Sequence, residues 1–282
     1  MISQRARSIR NPEPPDAPAT AAVAVRLRRV ETLSEYQECF ALQEETWGAG
    51  FRELVPPAIL MVAQKLGGVC AGAFASDGRM LGFVFGMIGL RDGRLVHWSD
   101  MLAVRAEARG AHLGERLKHY QRDLVRAIGV DTMYWTFDPL VARNAHLNLS
   151  RLGARAVEYV PNMYGGDTGS PVHGGIATDR IIVAWDLTRP GVAPAPLSRP
   201  GEIVNPVSAD GLPALNGMGD APLIRIVVPR DAEAEPNERH AVWRGVTREA
   251  FLSYLTRGYE VVGFRRSEQG ELPSYELSPA GR

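Results

Sequence analysis

"RGAHLGERLKHYQRD", residues 109–123, decides how the chain folds. Two glycines and an arginine stand at its head. Leu113, Leu117, Tyr120, Leu124 and Ile128 then recur at spacings of four, three, four and four, the period of a helix that lays one face on a sheet. A helix opening directly after a strand leaves its first N–H groups without intrahelical acceptors and carries the positive end of its dipole there. Gly110 and Gly114 permit close backbone approach and Arg109 adds forked donors, so this end suits a pyrophosphate. The same residues equally suit a helix that merely begins at Gly110 and passes close to a sheet at Gly114. Residues 111–114 are expected in right-handed helical geometry, where His112 fits without strain.

The flanking sequence supplies the sheet. "AVAVRLRRVE" (22–31) predicts a strand, "LSEYQECFALQEETWG" a helix ended by Gly48, and "VPPAILMVAQKLGG" a second helix entered at a proline pair. "GVCAGAFA", "MLGFVFGMIGL" and "LVHWSDMLAV", separated by the turns "SDGR" and "RDGR", predict an antiparallel meander. Downstream come a strand "VDTMYWTF", a helix "DPLVARNAHLNLSRLGA" closed by Gly153, and strands in "RAVEYVPNMYG" and "DRIIVAWDL". The expected class is α/β (α+β): one mixed sheet flanked by helices over residues 23–188. A disordered lead over 1–22, a Pro/Gly-rich connector over 189–222 and a C-terminal β-α-β-β extension over 223–282 complete the chain. About sixty residues make a marginal core, so the extension is expected to pack on the main domain or on a partner subunit of a homodimer.

Composition narrows the function. The chain has 282 residues, 45% of them apolar, and 32 Lys plus Arg against 32 Asp plus Glu. That balance lacks the excess positive charge on which nucleic-acid binding rests. No run approaches the ~18 apolar residues of a membrane helix. The N-terminus "MISQRARSIRNPEPPDAPAT" has no apolar core of a signal peptide, and the expected location is cytoplasmic. Cys39 and Cys70 have no paired spacing, and no H-x-x-x-H or H-E-x-x-H pattern occurs, so no metal is expected. "RNAHLNLSRLGARAVEYV" aligns with "REAFLSYLTRGYEVVGFR", matching Arg143 to Arg248, Ala145 to Ala250, Leu147 to Leu252 and Gly153 to Gly258. Duplication, or a shared helix–glycine–strand pattern, accounts for the match.

"MLAVRAEARGAHLGERL", between a three-strand meander and a strand, a helix and "RLGA", resembles the GNAT superfamily of acyl-CoA-dependent N-acyltransferases over about residues 23–188. In that family a Q/R-x-x-G-x-G/A loop holds the coenzyme A pyrophosphate. Here Arg109 and Gly114 match, and His112 stands at the first motif glycine. The resemblance implies that Arg109, Gly110, Ala111, His112, Leu113 and Gly114 hold the pyrophosphate, and that backbone groups of Leu102 and Val104 meet the pantetheine and the thioester carbonyl. It implies acetyl-CoA or succinyl-CoA as donor and a small-molecule amine, an amino acid for example, as acceptor. "LKHYQRD", "YVPNMYG", "ATDRIIVAWDL" and "WRGVTREAFLSYLTRGYEVVGF" are similar to a bacterial subgroup, some of whose members are linked to amino-acid N-succinylation. A non-catalytic acyl-CoA-binding module is the competing reading.

An acceptor amine must lose a proton to attack, and the departing thiolate gains from receiving one. The family's usual acid, a tyrosine four residues before the closing glycine, falls here on Leu149. Three residues are candidates to replace it. Asp100, four before Val104 and on its face by strict alternation, is either a base or a solvated carboxylate. Tyr254, four before Gly258 in the C-terminal echo, either supplies a hydroxyl or packs in a core. Tyr164 covers a pocket or donates. His97 points away from Asp100 by the same alternation and reads as structural. Asn144, in the first turn after a strand, either touches pantetheine or starts a helix. In the loop "EETWGAGFRELVPP", Glu44 or Glu45 can receive an ammonium and Arg52 a carboxylate beside Trp47, or these charges are ordinary surface.

Overall fold

In the computed structural model, which describes residues 25–166, 168–170, 176–189, 201–267 and 270–281, β1 (Arg26–Arg29) leads into α1 (Leu33–Trp47) and α2 (Pro57–Lys65). The apolar run that follows folds as the expected meander of β2 (Val69–Phe74), β3 (Met80–Arg91) and β4 (Arg94–Val104). Then come α3 (Leu113–Arg126), β5 (Thr132–Phe137), α4 (Ala142–Ala145) with a π-helical continuation over His146–Arg151, β6 (Arg155–Val160) and β7 (Arg180–Asp186). These strands form one seven-stranded sheet in the order β1-β2-β3-β4-β5-β7-β6. The mixed α/β class read from the sequence is the architecture found. The lead over 1–22 lies outside the described residues.

Each face of the sheet buries its own core. On one, α1 and α2 cover Cys70, Phe83, Phe85, Met101 and Ala103; free Cys39 and Cys70 meet there, their sulfurs 4.0 Å apart. On the other, α3 covers Val84, Met133 and Trp135. The face that α3 buries differs from the one its leucine spacing suggests. Leu113, Leu117, Lys118, Gln121 and Val125 are buried, whereas Tyr120 and Leu124 are half-buried and Ile128 lies beyond the helix, exposed. The helix is rotated because Lys118 and Gln121 find hydrogen-bonding partners on the sheet, which makes their burial tolerable.

Beyond the main sheet, β8 (Glu202–Ile203), β9 (Ile224–Val227), α5 (Asn237–Thr256), β10 (Tyr259–Arg265) and β11 (Ser274–Pro279) form a four-stranded sheet, ordered β10-β11-β9-β8. Part of the stretch read as connector is built into it. β8 runs parallel to β9, and buried Asn205 exchanges two 2.8 Å hydrogen bonds with the Val227 backbone. In the two echo segments, Gly153 and Gly258 both have positive φ (69° and 79°), but α5 is regular where its counterpart is a short α turn followed by π geometry. Shared punctuation explains the likeness.

The extension docks on the main sheet through one continuous apolar cluster, where Tyr159 of β6 stacks on Phe251 of α5 with centroids 5.0 Å apart. Charge pairs fix the geometry. Arg244 grips Asp138, the residue after β5, at 2.9 and 2.5 Å, and Arg248 grips Asp179 at 2.9 and 2.5 Å. Burial pushes the Asp138 carboxyl up, but Arg244 and Arg180 outweigh it and hold the group below its ordinary value. Removing Arg244 leaves that buried charge with Arg180 alone, at 3.5 Å. Arg244→Met is expected to lower unfolding free energy by about 3 kcal/mol in denaturant titrations, and an unchanged midpoint would contradict the clamp.

Candidate active site

β4 and β5 run parallel but pair at only two rungs, His97 with Met133 and Trp98 with Tyr134. Past them β5 continues its pairing with β7, and β4 keeps only its β3 neighbour. The strands therefore part into a fork whose apex is flanked by Ser99 and Trp135. At the same level β4 bulges: Gly86 pairs with Ser99 and Phe85 with Met101, which leaves Asp100 without an opposite number. A Cβ on Gly86 would lie 2.3 Å from His97 Nε2 and 2.5 Å from the Trp98 carbonyl oxygen, so this register requires glycine there.

The bulge corrects the reading of faces by alternation. His97 and Ser99 point towards α3, and so do Leu102 and Val104 beyond the bulge, while Met101 and Ala103 enter the α1/α2 core. Simple period two would have set His97 on the other side from Leu102 and Val104. Asp100 is the displaced residue between the two registers.

Under α3 lies a buried polar chain. Lys118 Nζ donates to Ser99 Oγ at 2.6 Å, Ser99 donates to Gln121 Oε1 at 2.8 Å, and the Gln121 amide meets His97 Nε2 at 3.0 Å. With the amide donating, His97 is neutral and carries its proton on Nδ1, consistent with burial pushing its pKa down to about 3. Lys118 also lies 4.1 Å above the centre of the Trp135 ring. Burial lowers its pKa to about 7, against a partial restoring effect of Asp100. Asp100 keeps exposed surface, yet the protein around it and the Glu53 carboxylate raise its pKa, only partly offset by the Trp98 indole and Lys118.

At the far end of β4, the chain makes a 3-10 turn at Ala106–Ala108, and Arg109 Nε donates to the Val104 carbonyl at 3.3 Å. Gly110 has φ +86°, and His112 has φ 54° and ψ 23°. The expectation of right-handed geometry through 111–114 fails at His112, a left-handed N-cap that only Leu113 follows into the helix. This conformation costs a side chain what glycine is spared. Arg116 N–H bonds to the His112 carbonyl, so the N–H groups of Leu113, Gly114 and Glu115 have no acceptor within the helix. A Cβ on Gly114 would meet Leu102 at an ordinary 3.6 Å, so close packing does not demand a glycine there.

Other expected site residues are scattered. The α1–α2 loop docks on the β6–β7 loop, with Arg52 N–H bonded to the Thr168 carbonyl (2.9 Å) and Ser170 Oγ to that of Trp47 (2.6 Å). Glu45 is ion-paired with Arg105, which restrains it as a receptor for an ammonium, whereas Glu53, missed in the sequence, acts on Asp100. Tyr164 Oη lies 3.3 Å from Thr136 Oγ1 on β5, and Asn144 is in the α4 turn with its N–H on Val141. Tyr254 is not brought to the fork. It is fully buried, donates to the Gly219 carbonyl at 3.1 Å and packs on Tyr259, because its echo position is a core position, as buried Leu149 is in the other copy. Lys118 and Gln121 also escaped the sequence reading; their only signal is that they share a helical face with Leu117 and Val125. Among the described residues no three His, Cys, Asp or Glu side chains gather as a metal site, and no helix is long and apolar enough to cross a membrane.

No family model and no curated protein matches the chain. Solved structures it is similar to include the ribosomal-protein-S18-alanine N-acetyltransferase of Escherichia coli, 18% identical, covering 60% of this chain and 97% of that one with TM-score 0.46. An N-acetyltransferase of Staphylococcus aureus is 15% identical, with 58% and 99% covered and TM-score 0.44. Likenesses this distant assign no residue of this chain a role.

The buried amine makes a stability prediction. Lys118 titrates near 7 in the fold against 10.5 when free, so the unfolded chain holds its proton more tightly. The cost to the fold is complete below about pH 7 and fades as pH rises towards about 10.5. Lys118→Met is expected to stabilise the protein by about 2–3 kcal/mol at about pH 6, with the gain shrinking in thermal melts as pH rises. A gain that grows with pH would contradict the assignment.

Proposed function

We propose that the protein is an acyl-CoA-dependent N-acyltransferase that moves an acetyl or succinyl group to the amine of a small molecule, such as an amino acid. The observation that carries this reading is the fork itself. β4 beyond Trp98 has lost its β5 partner, which supports the reading that backbone groups at Leu102 and Val104 bond an extended chain of amides, the chemistry of pantetheine. One end of that track is the start of α3, where the N–H groups of residues 113–115, with Arg109 and the turn through Gly110, Ala111 and His112, suit the pyrophosphate. The other end is the bulge. A main-chain N–H turned towards a thioester oxygen there would stabilise the tetrahedral oxyanion by on the order of 3 kcal/mol.

Asp100 stands at that end as the base. Its raised pKa suits it to take a proton from an incoming ammonium, and Glu53 beside it adds a second negative charge to draw that ammonium in. The loop holding Trp47 and Arg52, tied to the β6–β7 loop, lies on the same side as Glu53 and is the place for the rest of the acceptor.

The test is thiol release from acetyl-CoA and succinyl-CoA against a panel of D- and L-amino acids and simple amines. Amine-dependent release is expected, with Asp100→Asn lowering turnover about 10²-fold and leaving CoA affinity unchanged. CoA binding without turnover on any acceptor would favour a non-catalytic binding module. Failure to bind CoA would contradict both readings.

A further inference from the structure

Packing alone does not account for the cation in the fork. Lys118 is 3% exposed, and a methionine of similar length would fill its place without the cost of burying an amine. The lysine is instead held in one position. Ser99 and Trp135 are the first residues beyond the last paired rung on their strands, and Nζ lies between them, 2.6 Å from Ser99 Oγ and 4.1 Å from the Trp135 ring centre. The Ser99 hydroxyl proton is committed to Gln121, so its lone pairs face the lysine. Among the described residues Nζ has no further hydrogen-bond acceptor, which leaves donor capacity at the apex of the fork.

We propose that Lys118 is the general acid that protonates the departing CoA thiolate, an inference that rests on the acyltransferase reading. Asp100 takes a proton from the acceptor ammonium, and the freed amine pair forms the C–N bond at the thioester carbonyl carbon, sending the C=O π pair to oxygen. When that pair returns, the C–S bond breaks with its electrons on sulfur, and Lys118 passes a proton to sulfur. The new amide nitrogen loses its remaining extra proton to water, and the proton on Asp100 restores Lys118, so one proton leaves per turnover. Burial that brings the Lys118 pKa to about 7 makes this exchange possible at neutral pH. The charged and titratable groups that act on the amine are Asp100 and His97 on β4, with Glu53 of the α1–α2 loop acting through Asp100; on α3 itself Glu115, Arg122 and Asp123 act on the neighbouring His119, and β5 presents the Trp135 ring.

The experiment measures kcat and KM against pH for the wild type, Lys118→Met and Lys118→Arg. Acetyl-CoA is the donor and the fastest amine of the panel the acceptor, with acetyl-CoA affinity from tryptophan fluorescence and a thermal melt for each variant. The wild-type kcat is expected to fall on the alkaline side as Lys118 loses its proton. Both variants should lose about 10²-fold in kcat with KM for acetyl-CoA within about twofold, and Lys118→Met should lose the alkaline limb. Arginine keeps the charge but does not give up its proton, so it should not restore turnover. Near-normal kcat in Lys118→Met, recovery in Lys118→Arg, or a slow Lys118→Met enzyme that keeps the alkaline limb would each overturn the role of Lys118 and leave the acyltransferase reading standing. A wild type without amine-dependent thiol release would overturn both.

Discussion

Two backbone rungs, His97 with Met133 and Trp98 with Tyr134, hold β4 to β5, and the site depends on the strands parting directly afterwards. A sheet that stayed paired would bury the β4 edge and offer a ligand nothing. Both arms of the fork are anchored elsewhere. β4 stays on β3 through a bulge that only Gly86 accommodates, and β5 stays on β7 while the residue that follows it, Asp138, is gripped by Arg244 of the extension. The extension thus anchors, through Arg244 of α5, the chain directly after β5.

Holding the fork open places polar groups where a core would be apolar. His97, Ser99, Lys118 and Gln121 are all buried and bond one to the next, with His97 Nδ1 left as the buried atom without a partner. Such a chain has high stakes: it orients its members when complete, and each break leaves a buried group unpaired. His97 stays neutral and Lys118 is poised near neutrality for the same reason, since charge is expensive this far from water.

Much of the fold was legible in the sequence because it follows from local period. The meander, the helix from 113 and the β-α-β-β order of the extension all repeat in two or in three to four residues, and their turn glycines are explicit. What escaped depends on partners distant in the chain. The bulge at Asp100 is set by Gly86 across the sheet, so alternation along β4 alone misplaced His97 relative to Leu102 and Val104. The buried face of α3 includes Lys118 and Gln121, which hydropathy assigns to solvent. His112 is left-handed although its neighbours read as helix, and Tyr254 matched a motif position that is core in both segments.

Whether the fork holds the thioester is decided by locating its sulfur. Crystals grown with a CoA thioether that cannot transfer its group would show that atom by anomalous scattering. The sulfur is expected between β4 and β5, beyond Ser99 and Trp135 and beside the Asp100 bulge, with the pyrophosphate at residues 110–115. A sulfur outside the fork, or a pyrophosphate away from the start of α3, would contradict it.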